Sequence, residues 1–299
     1  MDLNMQYFNH KTQLYLNGKF EKAAEATTSL YSQTLHYGYG AFEGLRAYNT
    51  HNGARIFKAE EHFERLKKSC GLVNIPYKWN NDHLIRDTYA LLKRNHLRNA
   101  YIRPLVFCNP NMKLDKPTDV SIMICAWEWG AYLGEHLLKV GISTYERPSP
   151  QSTEIEAKIT GHYVTSILAS ADAKSRGFDE ALLLDHKGNI AQSPGANFFM
   201  ERNGKLYTPP KGNIFPGITR STVIEICHYL GIEIVERDLT VNDLKHATSA
   251  FFCGTATEII GIKSIDRTEF PDWDDSVGAT IQRTYKNLVL EKENYEVII

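Results

Sequence analysis

Long apolar runs, closely spaced metal ligands and blocks of like charge are all missing from this 299-residue sequence. No window approaches the roughly 20 apolar residues that a bilayer-spanning helix needs. Met1 to Tyr7 has no basic region followed by an apolar stretch, so no secretory signal is expected. Lys and Arg number 34 against 35 Asp and Glu, a net charge of -1, and no like-charge run exceeds a few residues. That balance argues against nucleic acid or a membrane surface as a partner. Cysteine is scarce as well: Cys70, Cys108, Cys125, Cys227 and Cys253 are scattered, odd in number and form no C-x-x-C pair. Disulfide frameworks and zinc sites use closer spacing, so reduced, buried thiols in a cytoplasmic protein are expected. The 11 histidines make no H-x-H or H-x-x-x-H pattern, which leaves a histidine metal site without support. What remains is an ordinary globular composition, 42% hydrophobic and 23% charged, on a chain long enough for one or two cores.

The order of elements alternates strands and helices, without repeats or low-complexity stretches. Thr12 to Leu16 and Lys19-Phe20 flank Asn17-Gly18, a hairpin signal that recurs at Asn203-Gly204 between Asn197 to Glu201 and Lys205 to Thr208. Ile56 to Lys58 reads as a strand and Ala59 to Cys70 as a helix stopped by Gly71. Asp82 to Leu97 carries apolar residues at helical spacing behind a cap at Asn80 or Asn81. Tyr101 to Phe107 and Val120 to Trp127 are β-rich. Thr160 to Arg176 predicts a helix burying Tyr163, Val164, Ile167, Leu168 and Ala171 on one stripe. Further on, Ala181 to Leu184 pairs with Asn189 to Gln192, and Ile218 to Leu230 forms a helix after Pro216-Gly217. Ile232 to Glu236 is a strand, Asn242 to Ala247 a short helix and Ala250 to Cys253 a buried strand. Trp129 to Glu135 and Arg147 to Thr153 break the pattern, the first as a domain boundary and the second as a mobile active-site loop. The expected architecture is α/β (α+β mixed), with much antiparallel pairing rather than a doubly wound parallel sheet. Gly38, Gly40 and Gly44 lack the following helix that a dinucleotide fingerprint requires.

Several segments offer chemistry, each with a plain alternative. Phe215-Pro216-Gly217-Ile218-Thr219-Arg220 sets a turn directly before a helix, where free N–H groups seat a phosphate or simply cap the helix. Gly254-Thr255-Ala256-Thr257-Glu258 is a second candidate anion nest. Lys158 precedes the Thr160 helix, and Arg65 lies on the Ala59 helix; a solvated charge is the default for both. His36-Tyr37-Gly38-Tyr39-Gly40 looks like a loop lining a pocket, or a packed turn.

Taken together, the segments resemble branched-chain amino acid aminotransferases among the class IV, fold-type-IV pyridoxal-phosphate enzymes. The resemblance is carried by His36 to Tyr48 (HYGYGAFEGLRAY), His62-Phe63-Glu64-Arg65-Leu66 and Tyr101-Ile102-Arg103-Pro104. It continues through Trp129 to Gly134 (WGAYLG), Ala157-Lys158 with Tyr163, Phe215 to Arg220, and Gly254 to Glu258. The Tyr-Ile-Arg-Pro and Trp-Gly-Ala-Tyr-Leu-Gly segments are closer to branched-chain enzymes than to D-amino-acid aminotransferases or aminodeoxychorismate lyases. The resemblance implies a small N-terminal α/β domain (1–128), a linker (129–138) and a larger C-terminal pseudo-barrel domain (139–299) that binds pyridoxal 5'-phosphate.

It also implies roles. Lys158 would carry the cofactor as a Schiff base and move a proton between substrate Cα and cofactor C4′. Tyr163 would bond the cofactor's phenolic oxygen, and Phe215 would pack on its ring. Arg65, Gly217, Ile218, Thr219 and Thr255 would hold the phosphate. Tyr101, with the backbone of Thr255 and Ala256, would take the substrate α-carboxylate. Phe42, Tyr37, Trp129 and Tyr132 would form the apolar pocket, and Arg103 would meet the distal carboxylate of glutamate or 2-oxoglutarate. A homodimer or higher homo-oligomer is implied, with Asn109 to Lys116 completing a neighbour's site. One position departs from the family: Gln192 stands where a carboxylate faces the pyridine nitrogen. A neutral amide cannot stabilise a pyridinium by charge, so a weaker electron sink is expected, and a cofactor-binding protein with weakened catalysis is the rival reading.

Overall fold

Positive φ at Asn17 and Gly18 (47° and 90°) turns the chain back on itself after Leu16, as their dipeptide signal predicts. This hairpin opens a computed structural model that describes residues 7–130, 132–270 and 273–292. The chain divides into two compact units: Met1–Gly130 with Ala157–Gly161, and Ala131–Glu156 with His162–Ile299. The contiguous division at 129–138 assigns 157–161 to the second domain. In the structure, a β-bridge from Ile159 to Ala41 and a bond from the Phe42 N–H to the Lys158 carbonyl tie that segment to the first unit.

The first unit begins with β1 (Gln13–Leu16), β2 (Lys19–Lys22) and the short α1 (Gln33–Tyr37). It continues through β3 (Gly40–Phe42), β4 (Leu45–Thr50), β5 (Gly53–Ile56), α2 (Ala59–Leu72) and α3 (Asn81–Arg94), and ends with β6 (Ala100–Cys108) and β7 (Val120–Trp127). Seven strands form one sheet in the order β2-β1-β7-β6-β4-β5, with β3 also paired to β6. Helix α2 runs through Gly71 instead of stopping there. In α3, the Asn80 side chain accepts the His83 N–H, the cap its sequence predicts. Phe63, Leu66 and Cys70 of α2 and Leu84, Leu91 and Leu92 of α3 recur at helical spacing and are buried against the sheet. The two-residue period of β6 sends Ile102, Val106 and Cys108 into that core and leaves Arg103, Leu105 and Phe107 half-buried on the other face.

The second unit holds β8 (Leu138–Ile142), α4 (Tyr163–Ser175), β9 (Glu180–Leu184), β10 (Ile190–Gln192), β11 (Asn197–Arg202) and β12 (Lys205–Thr208). Then follow α5 (Ile218–Tyr229), β13 (Ile234–Glu236), β14 (Ser249–Gly254), β15 (Glu258–Ile265), β16 (Thr268–Glu269) and α6 (Val277–Val289). Its strands run β10-β9-β8-β15-β14-β11-β12-β13, and β10 also pairs with β11. The six strands from β10 to β11 therefore close on themselves, which covers the edge of β10 and leaves β13 as an edge strand. Phe198, Met200, Phe252, Ile260 and Ile262 fill a core on this barrel. The predicted stripe of α4 is corrected: Val164, Ile167 and Leu168 are 59%, 67% and 43% exposed, while Ala169 and Ala173 are fully buried. Small residues let α4 lie close to β8 and β9, and the larger aliphatics point the other way.

Candidate active site

In the first unit, five of the residues singled out above meet on one sheet face. Because β6 has a two-residue period, Tyr101 and Arg103 share a face, and β3 places Phe42 opposite Leu105 on that same face. The Arg103 guanidinium lies 4.6 Å from the Phe42 ring centroid and 5.3 Å from that of Tyr101, whose hydroxyl accepts from its Nη2 at 3.2 Å. Trp129 packs edge-on against Tyr101 at 4.7 Å, with Trp127 5.2 Å from the same ring. Tyr101 reaches this position only because residue 44 is glycine: a Cβ there would stand 1.9 Å from the phenol oxygen. The result is an aromatic wall with one arginine laid against it.

Lys158 joins the group through its main chain. Its N–H donates to Ser69 Oγ at 3.0 Å, and its carbonyl accepts the Phe42 N–H at 3.0 Å. On either side Ala157 and Ile159 are buried, and the Ile159 N–H donates to the Ala157 carbonyl at 3.1 Å, a tight turn with the half-buried Lys158 at its centre. There its Nζ lies 5.1 Å from the Phe42 ring centroid. Arg65, on α2, is held by Glu43, a residue to which the sequence alone gives no role. The Glu43 carboxylate accepts from Arg65 Nε at 2.6 Å, from Nη2 at 2.9 Å and from His62 Nδ1 at 2.8 Å.

Burial pushes the Glu43 carboxyl up, but the Arg65 charge and the bonds from His62 and Arg65 outweigh it, leaving it far below the ordinary carboxylate range. His62 is lowered instead, mainly by burial, with Arg65 and Lys158 adding to that and Glu43 opposing. It therefore donates as a neutral imidazole. Removing one partner of a buried ion pair of this kind costs about 3–5 kcal/mol. Glu43 and His62 both lie inside the motifs that carry the resemblance, and that position is the only signal the sequence offers for them.

Tyr37 is the last residue of α1. It is 45% exposed, and its hydroxyl donates to the Met112 carbonyl at 3.1 Å.

In the second unit, the β10–β11 closure pairs Gln192 with Asn197. Gln192 Oε1 accepts the Phe215 N–H at 2.7 Å, and Asn197 Nδ2 donates to the Phe215 carbonyl at 2.9 Å. Two amides thus hold the N–H and the carbonyl of one residue, on its two flanking peptide units, at the entrance to α5. No side chain caps that helix at Gly217, so its first N–H groups have no intrahelical acceptor, and buried Thr219 lies in the first turn. A Cβ at Gly217 would fall 2.2 Å from Asn197 Oδ1, so a larger residue would displace the amide that holds the Phe215 carbonyl. Thr255 and Ala256 occupy the half-buried turn from β14 to β15.

Tyr163 opens α4, and Tyr132 is 44% exposed. Arg147, which the sequence marks only as loop, donates from Nη2 to the Ile155 carbonyl at 3.2 Å, while its buried Nε has no acceptor among the described residues. Burial pushes its pKa down to about 10, and neighbouring Tyr163 partly offsets this. A single arginine among prolines and serines has no spacing to read, so no signal marks it in the sequence. The five thiols are unbridged, and burial pushes Cys70 and Cys227 up to about 12, which makes them inert. Among the described residues, no group of three or more His, Cys, Asp or Glu could hold a metal, and no helix is long and apolar enough to cross a membrane.

Residues 40–265 match the family model described as amino-transferase class IV. A branched-chain-amino-acid aminotransferase of Pseudomonas aeruginosa is 38% identical over 259 residues, covering 85% of this chain and 84% of the relative. The crystal structure of a branched-chain aminotransferase from Thermoproteus uzoniensis with norvaline has a TM-score of 0.91 at 33% identity, covering 95% of this chain and 96% of that one. The crystal structure of the branched-chain amino acid aminotransferase from Thermobaculum terrenum in its PLP-form has a TM-score of 0.88 at 29% identity, covering 96% of each chain.

Proposed function

From the premise that this chain belongs to the class IV aminotransferases, we propose that it transfers the amino group of L-leucine, L-isoleucine and L-valine to 2-oxoglutarate with pyridoxal phosphate. The observation that carries the reading is the Phe42–Tyr101–Trp129 wall with Arg103 lying on it and Lys158 beside Phe42. An aliphatic side chain gains about 2 kcal/mol from burial against such a wall. A substrate carboxylate gains a cation that the rings hold without a second buried charge.

The residues fit the cofactor by their donor chemistry. They supply a half-buried lysine, an arginine locked by a carboxylate, and a helix start at Gly217 with no side-chain cap. When bound, pyridoxal phosphate supplies the aldehyde carbon that takes the amino group and the ring that spreads the developing charge. Lys158 holds that cofactor and moves the proton at the substrate Cα. Arg65, Gly217, Ile218, Thr219 and Thr255 would bind the phosphate. Tyr163 would orient the phenolic oxygen, Phe215 would pack on the ring, and Gln192 would face its nitrogen. Tyr101, Thr255 and Ala256 orient the α-carboxylate, while Tyr37 and Tyr132 complete the apolar pocket. Adding L-leucine to purified protein is expected to convert its absorbance to that of the amine form, and 2-oxoglutarate to reverse it; no response to any L-amino acid overturns the reading.

Arg103 separates the two substrates. Arg103→Gln is expected to raise KM for 2-oxoglutarate by about ten- to a hundred-fold, the loss of a charge-assisted bond, and to leave KM for leucine near wild type. Steady-state kinetics with each substrate varied in turn checks this, and equal changes in both would remove Arg103 from the recognition of the distal carboxylate.

The working form is a homodimer or a larger homo-oligomer. Buried Gln33 donates its side-chain amide to the carbonyls of Lys113 and Asp115 at 3.1 and 2.9 Å, stapling 109–116 to α1. Around that staple Leu30, Tyr31, Leu35, Met112 and Leu114 are 74%, 67%, 62%, 48% and 87% exposed, a patch that a second copy would cover. Each leucine so covered is worth about 1.5–3 kcal/mol. Leu35→Asp with Leu114→Asp is therefore expected to weaken self-association by about a hundred-fold or more, and sedimentation velocity of the double variant at an unchanged oligomeric mass would exclude this surface. Unbridged, buried thiols suit a reducing compartment, the cytoplasm.

A further inference from the structure

Glu43 is a fully buried carboxylate that takes no part in the steps above. Leaving water is costly for any ion, and here the cost is met by four donors. Oε1 accepts from Arg65 Nε at 2.6 Å. Oε2 accepts from Arg65 Nη2 at 2.9 Å, His62 Nδ1 at 2.8 Å and the Gly44 N–H at 3.1 Å. The main chain is held too, because the Glu43 N–H donates to the Pro104 carbonyl at 2.9 Å, across to β6. Gripping a guanidinium through both Nε and Nη2 fixes its plane, since rotation about the terminal bonds of the side chain would break both contacts. His62 reinforces this without adding charge: it is buried and donates as a neutral ring.

We infer that Glu43, braced by His62, is a positioning residue for phosphate binding: it sets the plane of Arg65 before the cofactor arrives, so the phosphate ester meets a fixed fork. This rests on the reading that Arg65 holds the phosphate. An arginine that must be ordered on binding spends part of its interaction on lost rotamer freedom, and a pre-set one does not.

The test compares apoprotein affinity for pyridoxal phosphate with that for pyridoxal, which lacks the phosphate, by absorbance titration. Glu43→Gln puts an amide N–H against the donors of Arg65 and His62 and so releases the guanidinium. It is expected to lower the preference for the phosphorylated form by about ten-fold, one charge-assisted bond's worth, with pyridoxal affinity near its wild-type value. Should that variant not fold, Glu43→Asp replaces it: the charge stays, but a carboxylate one methylene shorter cannot span both nitrogens, and the preference falls in the same direction. An unchanged preference, or equal losses for both ligands as a merely structural role would give, overturns the inference. Arg65→Gln separates the two levels. If it leaves the preference intact, the phosphate role of Arg65 fails and the inference fails with it. If it lowers the preference while Glu43→Gln does not, only the positioning role fails.

Discussion

Lys158→Ala is expected to abolish covalent retention of the cofactor and to lower the single-turnover rate with L-leucine by about ten-thousand-fold or more, the combined loss of a nucleophile and a proton carrier. The substitution is informative because the main chain of residue 158 makes two structural bonds of its own. The bonds to Ser69 Oγ and from the Phe42 N–H survive in alanine, so the segment keeps its place and only the amine is lost. Borohydride reduction followed by mass spectrometry is expected to find the adduct on Lys158 in the wild type and none in the variant. A variant that still holds the cofactor covalently and turns over leucine as before would end the assignment.

Gln192→Glu is expected to speed the leucine half-reaction by about ten-fold while lowering stability. The amide's orientation is forced, because the Phe215 N–H can only donate to Oε1 (2.7 Å) and the Ser193 carbonyl can only accept from Nε2 (3.2 Å). A carboxylate keeps the first bond and loses the second, with its charge at a position only 5% exposed. The unmade bond costs about 1–3 kcal/mol, which thermal unfolding of the apoprotein would register. Against this, a negative charge toward the ring nitrogen deepens the electron sink, and a ten-fold gain needs only about 1.4 kcal/mol. Stopped-flow half-reactions at an unchanged rate would show that the amide already suffices.

How far the sequence speaks depends on the range of the interaction. Hairpin turns, helix caps and strand periods are local, so Asn17-Gly18, Asn203-Gly204, the Asn80 cap and the Val120–Trp127 strand are legible residue by residue. The α4 stripe is not, because a period marks which residues share a face and not which face turns inward; the small Ala169 and Ala173 take the core, where the backbones approach closely. Strands β3 and β8 do not stand out as runs, their pairings being set by partners far along the chain.

The same division holds for the site. Ordered motifs identified the family, and with it Lys158, Arg65 and the Gly217 turn as a set of residue types that a phosphorylated aldehyde requires. Single positions said little, since an isolated lysine or arginine is by default a solvated charge. Only the tertiary structure decided that residues 157–161 return to the first unit, that Gly44 makes room for Tyr101, and that Glu43 and His62 enclose the Arg65 guanidinium. It alone also decided that Gln192 and Asn197 hold the N–H and the carbonyl of Phe215. The physical reason is the same in each case: sequence carries propensity and chemistry along the chain, whereas burial, ion pairing and hydrogen-bond partners depend on what packing brings from elsewhere.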